Sequence, residues 1–368
     1  MNAGNLEERK FSKSRETMIN VLLLIIVFFL MEKVYMSYGQ ITGTYSSTIS
    51  VILIFVLLIL MFITKGKLSI SSSIVILISI IYILSSYVFI GGELRETLRY
   101  ISIIIIMFLS GSVRGLKLDI VFKIIIIIGL FCVLFWGDSI VLNRATGFFL
   151  TSPTLFSFTI LISIAYLAYQ MDSKVNLIFI FIGILLIGAT ESRSTLLAAA
   201  ILCGSMVYRR YLKKKTIYVK VISLLLFLMI AFFVGITLSD SDLLIREDGV
   251  QSTDTRLFFY KYAINQFLLH PMNIVFGYGS GASYEMISNL TGVRIPLHFD
   301  LLVIMYDYGL LGILGVLLIL RKLIVQWYWI IILLLLVGNV HNLIYFPVGV
   351  CLIFLVSNNL SNQILKMK

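Results

Sequence analysis

Residues 275–313 carry the most information in this chain, and they read VFGYGSGASYEMISNLTGVRIPLHFDLLVIMYDYGLLGI. A glycine-rich turn leads to a lone histidine, His298, and Asp300 follows two residues later. An apolar run follows Asp300, and its length is close to the ~20 residues that a helix needs to cross a bilayer. The pattern predicts a titratable base at the mouth of a membrane helix, beside a flexible external loop.

Similar apolar runs recur along the whole chain. Hydrophobic residues make up 60% of the sequence and charged residues 13%, against roughly 45–50% and 25% in soluble domains. We predict an all-α polytopic membrane protein, a single domain over 1–368, because lipid requires each span to satisfy its own backbone hydrogen bonds. About twelve transmembrane helices are expected, at 17–36, 46–64, 70–90, 97–113, 119–136, 153–170, 175–190, 194–208, 217–238, 298–320, 323–338 and 343–359.

The formal charge of +11 reflects topology and does not indicate a nucleic-acid partner. With both termini in the cytoplasm, most lysines fall in cytoplasmic segments, as the positive-inside rule requires. The three cysteines lie inside apolar spans and predict neither a disulfide nor a metal site. The chain is therefore expected to be integral to a membrane, with both termini in the cytoplasm.

The basic residues on the predicted external side are mostly arginine. A guanidinium matches phosphate or carboxylate through a bidentate donor fork, which lysine lacks. Pairing with nearby acids (Glu93, Glu96, Glu191 or Asp254) is the alternative explanation for any one of them. Taken together they favour an external anionic ligand; they are Arg95, Arg99, Arg144, Arg193, Arg246, Arg256 and Arg294.

The segment 239–297 is much longer than an ordinary connection and is predicted to be a functional external loop. Apolar residues at helical spacing predict an amphipathic surface helix within it, with Asp254 as the N-cap and an end before Pro271. Arg256 would then lie in the first turn, where free amides and a guanidinium form an anion site. A surface pair between Arg256 and Asp254 is the alternative.

Two glycines of the loop, Gly277 and Gly279, lie in a Gly-Tyr-Gly-Ser-Gly stretch that lacks the strand and Lys-Ser/Thr of a phosphate loop. We predict a hinge or a close backbone approach to substrate. Asp307, deep in the helix after His298, is interpreted as a packing residue, although an intramembrane carboxylate is also a functional candidate.

Among the three histidines, His298 has the best position for a general base, since imidazole is neutral near pH 7 and can accept a proton from a hydroxyl. His341 lies in a short external turn and could line the same vestibule. His270, before Pro271, is predicted to be a cap or interfacial residue.

Several short motifs in this order resemble the Wzy-type O-antigen and capsular polysaccharide polymerase and O-antigen ligase superfamily. They are Arg-X-X-Gly at 144–147, Ser-Arg-Ser at 192–194, Arg256 ahead of Gly277-Tyr278-Gly279, and His298 before Gly-X-X-Gly at 309–312. The family commonly has Asn or Ser after its histidine, whereas Phe299 and Asp300 follow here, which leaves the role of Asp300 open.

The resemblance implies a GT-C-like helical fold and a metal-independent, inverting glycosyl transfer that needs no cofactor. Arg193 and Arg256, with Arg144 nearby, would bind the pyrophosphate of an undecaprenyl-linked glycan, and His298 would activate the acceptor hydroxyl. Gly277, Gly279, Asp300 and His341 would line the substrate vestibule. A chain-length regulator protein would be a further partner.

Three functions stay open on the sequence. A repeat-unit polymerase for capsule, exopolysaccharide or O-antigen is preferred, and the strong Ile, Lys and Asn usage leans toward a Gram-positive capsule. An O-antigen ligase-type transferase to a lipid or wall acceptor shares the same chemistry. A lipid-linked oligosaccharide flippase is the third, but transporters favour internal repeats and several mid-membrane charges, whereas most charges here lie at the ends of spans and no repeat is visible.

Overall fold

The protein is described here from a computed structural model. The described residues are 3–31, 45–67, 69–113, 116–136, 140–141, 144–149, 152–169, 174–207, 247–292, 297, 299–323, 329–340, 343 and 346–367.

The fold is all-α apart from one two-stranded ribbon, in the part of the chain just specified. The helices are α1 (Ala3–Phe28), α2 (Tyr45–Ile63), α3 (Ile70–Phe89), α4 (Leu94–Ser112), α5 (Asp119–Phe135), α6 (Pro153–Tyr169), α7 (Lys174–Ala189), α8 (Arg193–Val207), α9 (Glu247–Leu269), α10 (Met272–Phe276), α11 (Ala282–Thr291), α12 (Asp300–Leu323), α13 (Trp329–Val340) and α14 (Pro347–Met367). The ribbon pairs β1 (Ile140–Val141) with β2 (Arg144–Ala145) in antiparallel register.

Eleven of the twelve predicted spans coincide with a helix, and the ninth, 217–238, lies outside the described residues. Among those residues, two helices are long and apolar enough to cross a membrane, Ile70–Phe89 and Asp300–Arg321. Five further apolar helices are shorter. These helices support a membrane protein, while the count of twelve spans and the GT-C-like arrangement stay predictions.

Three helix boundaries near the termini differ from the prediction. Helix α1 begins at Ala3, well before residue 17, because its polar head is rich in Glu, Lys and Arg, which are good helix formers. It ends at Phe28, ahead of the predicted residue 36. Helix α14 continues past 359 to Met367, so its polar end is helical as well.

Helix α6 is the centre of the bundle and contacts α5, α7, α8, α13 and α14. Every side chain from Phe156 to Ala168 is buried, as expected for a helix that is apolar on all sides. Its few hydroxyl groups satisfy themselves locally: Thr159 donates to the Leu155 carbonyl at 2.8 Å and Ser163 to the Thr159 carbonyl at 3.0 Å. The polar atoms are thereby accommodated without partners from solvent.

One end of the bundle joins loops that the topology assigns to the cytoplasm. Lys117 donates to Glu16 at 2.7 Å, and the side-chain amides of Asn358 and Asn359 donate to the carbonyls of Val113 and Leu116.

The opposite end joins loops that the topology assigns to the outside. Gly92 forms a bridge with Ser280, and the Phe149 and Phe346 rings lie 5.5 Å apart. Loops that were predicted on the same side of the membrane thus lie at the same end of the bundle. Which end faces the cytoplasm stays a prediction.

Candidate functional site

Arg144 is held at the turn that leads into Arg193. Its Nε donates to the Thr190 carbonyl at 2.8 Å, and it lies 4.0 Å from a carboxylate oxygen of Glu191. Both charged side chains are about one fifth exposed. The pairing with Glu191, which was the alternative explanation for this arginine, is therefore present at the limit of ion-pair distance. The Nε of the guanidinium is already hydrogen-bonded within the protein.

The turn between α7 and α8 has a specific backbone shape. Glu191 adopts a φ of 51°, a left-handed conformation that is uncommon for a residue with a side chain. Thr190 is buried and its hydroxyl accepts the Ser192 amide at 3.3 Å. Arg193 is the first residue of α8 and is exposed, three residues after the Thr190 carbonyl that accepts from Arg144.

The glycine of the Arg-X-X-Gly motif has a packing role. Gly147 has a φ of 56°, and a Cβ on it would come within 2.2 Å of the Phe156 ring. Phe148 makes an edge-to-face contact with the same ring, with the ring centres 5.0 Å apart. Only glycine lets the strand that carries Arg144 lie directly on the central helix α6.

Arg99 was one of the arginines considered as ligands for an external anion, but its guanidinium is paired within the protein. It donates to Glu96 at 2.6 Å, and the two side chains are 11% and 2% exposed. The pairing with Glu96, which was the alternative explanation, is confirmed for this residue.

Helix α9 contains Arg256, as predicted, but the predicted N-terminus of this helix is wrong. The helix begins at Glu247, so Asp254 is not its N-cap and Arg256 is not in its first turn. Acidic residues are favourable at a helix N-terminus, and Glu247 and Asp248 supply them seven residues earlier. The proposed contribution of free helix amides to an Arg256 anion site is therefore withdrawn.

The end of α9 and its inner face agree with the prediction. The helix ends at Leu269, ahead of Pro271, and exposed His270 follows it. A stripe at four-residue spacing, Phe259, Ala263 and Phe267, is buried. The apolar residues beside that stripe are exposed, as expected of a helix at a membrane surface; they are Leu257, Phe258, Ile264, Leu268 and Leu269.

Phe299, the residue after His298, lies against α9. His298 itself is outside the described residues, as is His341. Its neighbour Leu297 is buried, and the Phe299 ring lies 6.0 Å from the ring of Tyr260. Tyr260 lies four residues after Arg256 in α9, and Phe299 directly follows His298 in the sequence. The described contact therefore joins α9 to the start of α12.

Helix α12 starts at Asp300, two residues after His298. Asp300 is 5% exposed and lines a cavity of about 530 Å³ between α3, α4, α12 and α13. Polar groups of Tyr82, Tyr100 and Tyr308 also border the cavity. The remaining lining is almost wholly aliphatic, for example Val75, Ile83, Met107, Ile304, Leu318 and Leu336.

Gly277 and Gly279 make close backbone approaches, as predicted, but the partner is the protein itself. A Cβ on Gly277 would lie 2.4 Å from the Asp307 carbonyl oxygen, and one on Gly279 would lie 2.4 Å from the Gly91 carbonyl oxygen. Both have positive φ, 79° and 100°. The glycines let the loop pack on α12 and on the turn between α3 and α4.

Sequence reasoning missed the partners of this loop. Tyr100, in α4, donates to the Asp307 carboxylate at 2.9 Å, and Glu93 donates its backbone amide to the Ser280 carbonyl at 2.8 Å. The available signals were polar residues inside apolar spans and the Gly91-Gly92 pair at the end of α3.

Residues 178–317 match the family model Wzy_C, described as O-antigen ligase. The match covers a little over a third of the chain, and it includes Arg193, Arg256, the glycine loop and His298 but neither Arg144 nor His341. No curated protein matches the chain. The match supports a glycosyltransferase-like enzyme of the O-antigen ligase type, with lipid-linked glycan substrates and integration in a membrane.

Proposed function

We propose that this protein is an oligosaccharide repeat-unit polymerase that joins undecaprenyl-pyrophosphate-linked glycans at the outer face of the cytoplasmic membrane. The observation that carries the proposal is the contact of Tyr260, in the helix that contains Arg256, with Phe299, the residue after His298, inside the range that matches the O-antigen ligase model. Anion binding and proton transfer are the two functions that a glycosyl transfer from a pyrophosphate requires.

Arg193 and Arg256 bind the donor pyrophosphate in this proposal. Two guanidinium groups neutralise the leaving group as the glycosidic C–O bond breaks, which is where negative charge develops. Exposure of Arg193 at the start of α8 supports this role. Arg144 contributes from the side, because its Nε donates to the Thr190 carbonyl in the turn that leads to Arg193, and its side chain is about one fifth exposed.

His298 acts as the general base. It accepts the proton of the acceptor hydroxyl while that oxygen forms a bond to the anomeric carbon, and undecaprenyl pyrophosphate departs from the opposite face. A single displacement of this kind inverts the anomeric configuration and needs no metal ion. Asp300, Gly277, Gly279 and His341 border the vestibule in which the acceptor binds.

The apolar cavity along α12 suits the lipid of the donor. Its lining extends from Asp300 to Leu320, roughly 30 Å at ~1.5 Å per helical residue, which is close to the thickness of the hydrocarbon core. Its polar border at Asp300 lies two residues after the proposed base in the sequence. An isoprenoid chain in this cavity would therefore present its pyrophosphate toward the proposed site.

An O-antigen ligase-type transferase is the second candidate, and the description of the matching family model favours it. The chemistry is the same up to the identity of the acceptor. A polymerase takes a second lipid-linked repeat unit, often with a chain-length regulator as partner, whereas a ligase takes a terminal sugar on a lipid or wall polymer.

Reconstitution distinguishes these functions. Purified protein in liposomes is given lipid-linked repeat units alone, or together with a glycolipid acceptor, and the products are resolved on a gel. A ladder from repeat units alone supports the polymerase, and a product that appears only with the second acceptor supports the ligase. Movement of the donor lipid between leaflets with no new glycosidic bond would overturn both in favour of a flippase.

A further inference from the structure

Asp307 makes the most connected set of polar contacts around the glycine loop. Its side chain is fully buried in the membrane-spanning helix α12. One carboxylate oxygen accepts the Ser283 amide at 2.9 Å, and the other accepts the Gly281 amide at 3.0 Å and the Tyr100 hydroxyl at 2.9 Å. These three donors come from two separate segments of the chain.

The carboxylate performs the N-capping of α11 from outside that helix. The first amides of a helix lack intrahelical partners and are normally capped by a local Ser, Thr, Asp or Asn. The N-cap position here is Gly281, with a φ of 84° and no side chain. Asp307 supplies the missing acceptor, and its negative charge is also favourable at the N-terminus of the helix.

A kink in α12 lets the backbone add to this connection. Gly309 has a φ of 65° and a ψ of −163°, which interrupts the helix. The carbonyls of Tyr306 and Asp307 accept the amides of Tyr278 and Gly279, at 2.9 Å and 3.0 Å. A Cβ on Gly309 would lie 2.3 Å from the Val275 carbonyl oxygen, so the two backbones are in direct contact.

The clamped loop lies between the two proposed functional elements in the sequence. Helix α9, with Arg256, precedes the loop, and His298 follows α11 just before α12. Asp307 therefore ties the middle of this segment to the helix that begins next to the base.

We propose that Asp307 is a positioning residue for the transfer reaction, and that it fixes the loop so that α9 stays packed against the start of α12, with Tyr260 on Phe299. This inference rests on the proposed function. Asp307 contacts neither donor nor acceptor. Its effect on the reaction passes through the loop, and misplacement of reacting groups by about 1 Å can cost ~10²-fold in rate.

The test uses Asp307→Asn, which keeps the shape of the side chain. The side-chain amide of Asn has one NH₂ group, which in one orientation faces the Ser283 N–H and in the other faces the Gly281 N–H and the Tyr100 hydroxyl. Two N–H donors then face each other, so at least one hydrogen bond must break. Asp119→Asn is the matched control, since Asp119 is a helical carboxylate whose partner is Lys123 at 2.6 Å, away from the loop.

Two quantities are measured in full-length protein. The first is the cross-linking of Tyr260→Cys to Phe299→Cys by a short bifunctional thiol reagent, which reports the position of α9 and does not require activity. The second is the turnover of lipid-linked repeat units, with kcat and KM separated. We expect Asp307→Asn to lower the cross-linking yield several-fold and kcat by about 10–10²-fold, with little change in KM.

Unchanged cross-linking and unchanged kcat in Asp307→Asn would overturn the proposal, as would an equal loss in Asp119→Asn. If Asp307→Asn does not fold, Tyr100→Phe removes one donor and leaves the backbone contacts, and a lower cross-linking yield and kcat are expected. Wild-type values for Tyr100→Phe would then contradict the proposal. If the wild type transfers no glycan while Asp307→Asn still loses cross-linking, the proposed function is refuted. The role of Asp307 in holding the loop on α12 would then still stand.

Discussion

At the scale of single residues, the arginines on the predicted external side differ in how far they are buried and in the protein groups that are described as holding them. Arg99 is committed to Glu96 within the protein, and Arg144 has one nitrogen committed to Thr190. Arg193 is exposed at the start of α8. The sequence predicted an external anionic ligand from the arginine excess as a group, but only tertiary contacts show which guanidinium is already used.

The pyrophosphate role of Arg193 and Arg256 leads to a prediction about charge and geometry. Arg→Lys at either position keeps the positive charge but removes the bidentate fork. We expect transfer activity to fall by at least tenfold while the amount of protein in the membrane is unchanged. The measurement is the initial rate of glycan transfer with purified variants.

Arg246→Lys and Arg294→Lys are the controls for these variants, because neither residue matches a motif of the family. Both are expected to keep most of the activity. Wild-type rates for both Arg193→Lys and Arg256→Lys would show that these are ordinary surface arginines.

The two glycines of the loop show where sequence reasoning stops at this scale. Positive φ and a close approach were predictable from the Gly-Tyr-Gly-Ser-Gly pattern. The identity of the approaching group was not, because Asp307 and Gly91 are distant in sequence. Asp307 was interpreted as a packing residue, and its contacts with the loop agree with that interpretation.

At the scale of elements, the predicted helices were placed well where an apolar run ends at polar residues. The span predicted at 70–90 is helix 70–89, and the span predicted at 119–136 is helix 119–135. The start of α9 was misplaced because Asp254 satisfies the pattern of an N-cap, yet Glu247 and Asp248 satisfy a helix start equally well. A local pattern does not choose between two acceptable beginnings.

The kink in α12 was also beyond prediction, because glycine is common in membrane helices without a bend. It leads to a test of the loop packing. Gly309→Ala places a side chain in a backbone conformation that is almost exclusive to glycine, which costs about 1–3 kcal/mol, and forces its Cβ into the Val275 carbonyl. We expect a clear loss of thermal stability, measured by the melting of detergent-purified protein.

Gly188→Ala is the matched control, since a Cβ at Gly188 meets nothing within 4 Å and alanine is the better helix former by up to about 1 kcal/mol. Its melting temperature should stay the same or rise. A Gly309→Ala protein as stable as Gly188→Ala would contradict the described contact between the loop and α12.

At the scale of the whole molecule, the account depends on which end of the bundle faces outward. Loops expected on each side gather at opposite ends, through Lys117 with Glu16 at one end and Gly92 with Ser280 at the other. This grouping follows from alternating spans, which hydropathy predicts. Orientation rests on the distribution of lysine and arginine alone.

Cysteine labelling tests the orientation directly. Asn289→Cys, at an exposed position of α11, should react with a membrane-impermeant maleimide in intact cells. Ser14→Cys, exposed near the start of α1, should react only after permeabilisation. The reverse pattern would invert the topology and remove the proposed site from the outer face.

The central claim is that His298 is the base of a metal-independent transfer between lipid-linked glycans. The most direct measurement is single-turnover transfer by purified protein in chelator, comparing wild type with His298→Ala, and with His270→Ala and His341→Ala as histidine controls. We expect wild type to form product, His298→Ala to be slower by about 10²–10⁴-fold, and both control variants to keep at least part of the activity. Product formation by His298→Ala at the wild-type rate would contradict the role of the base, and failure of the wild type in chelator would contradict the metal-independent mechanism.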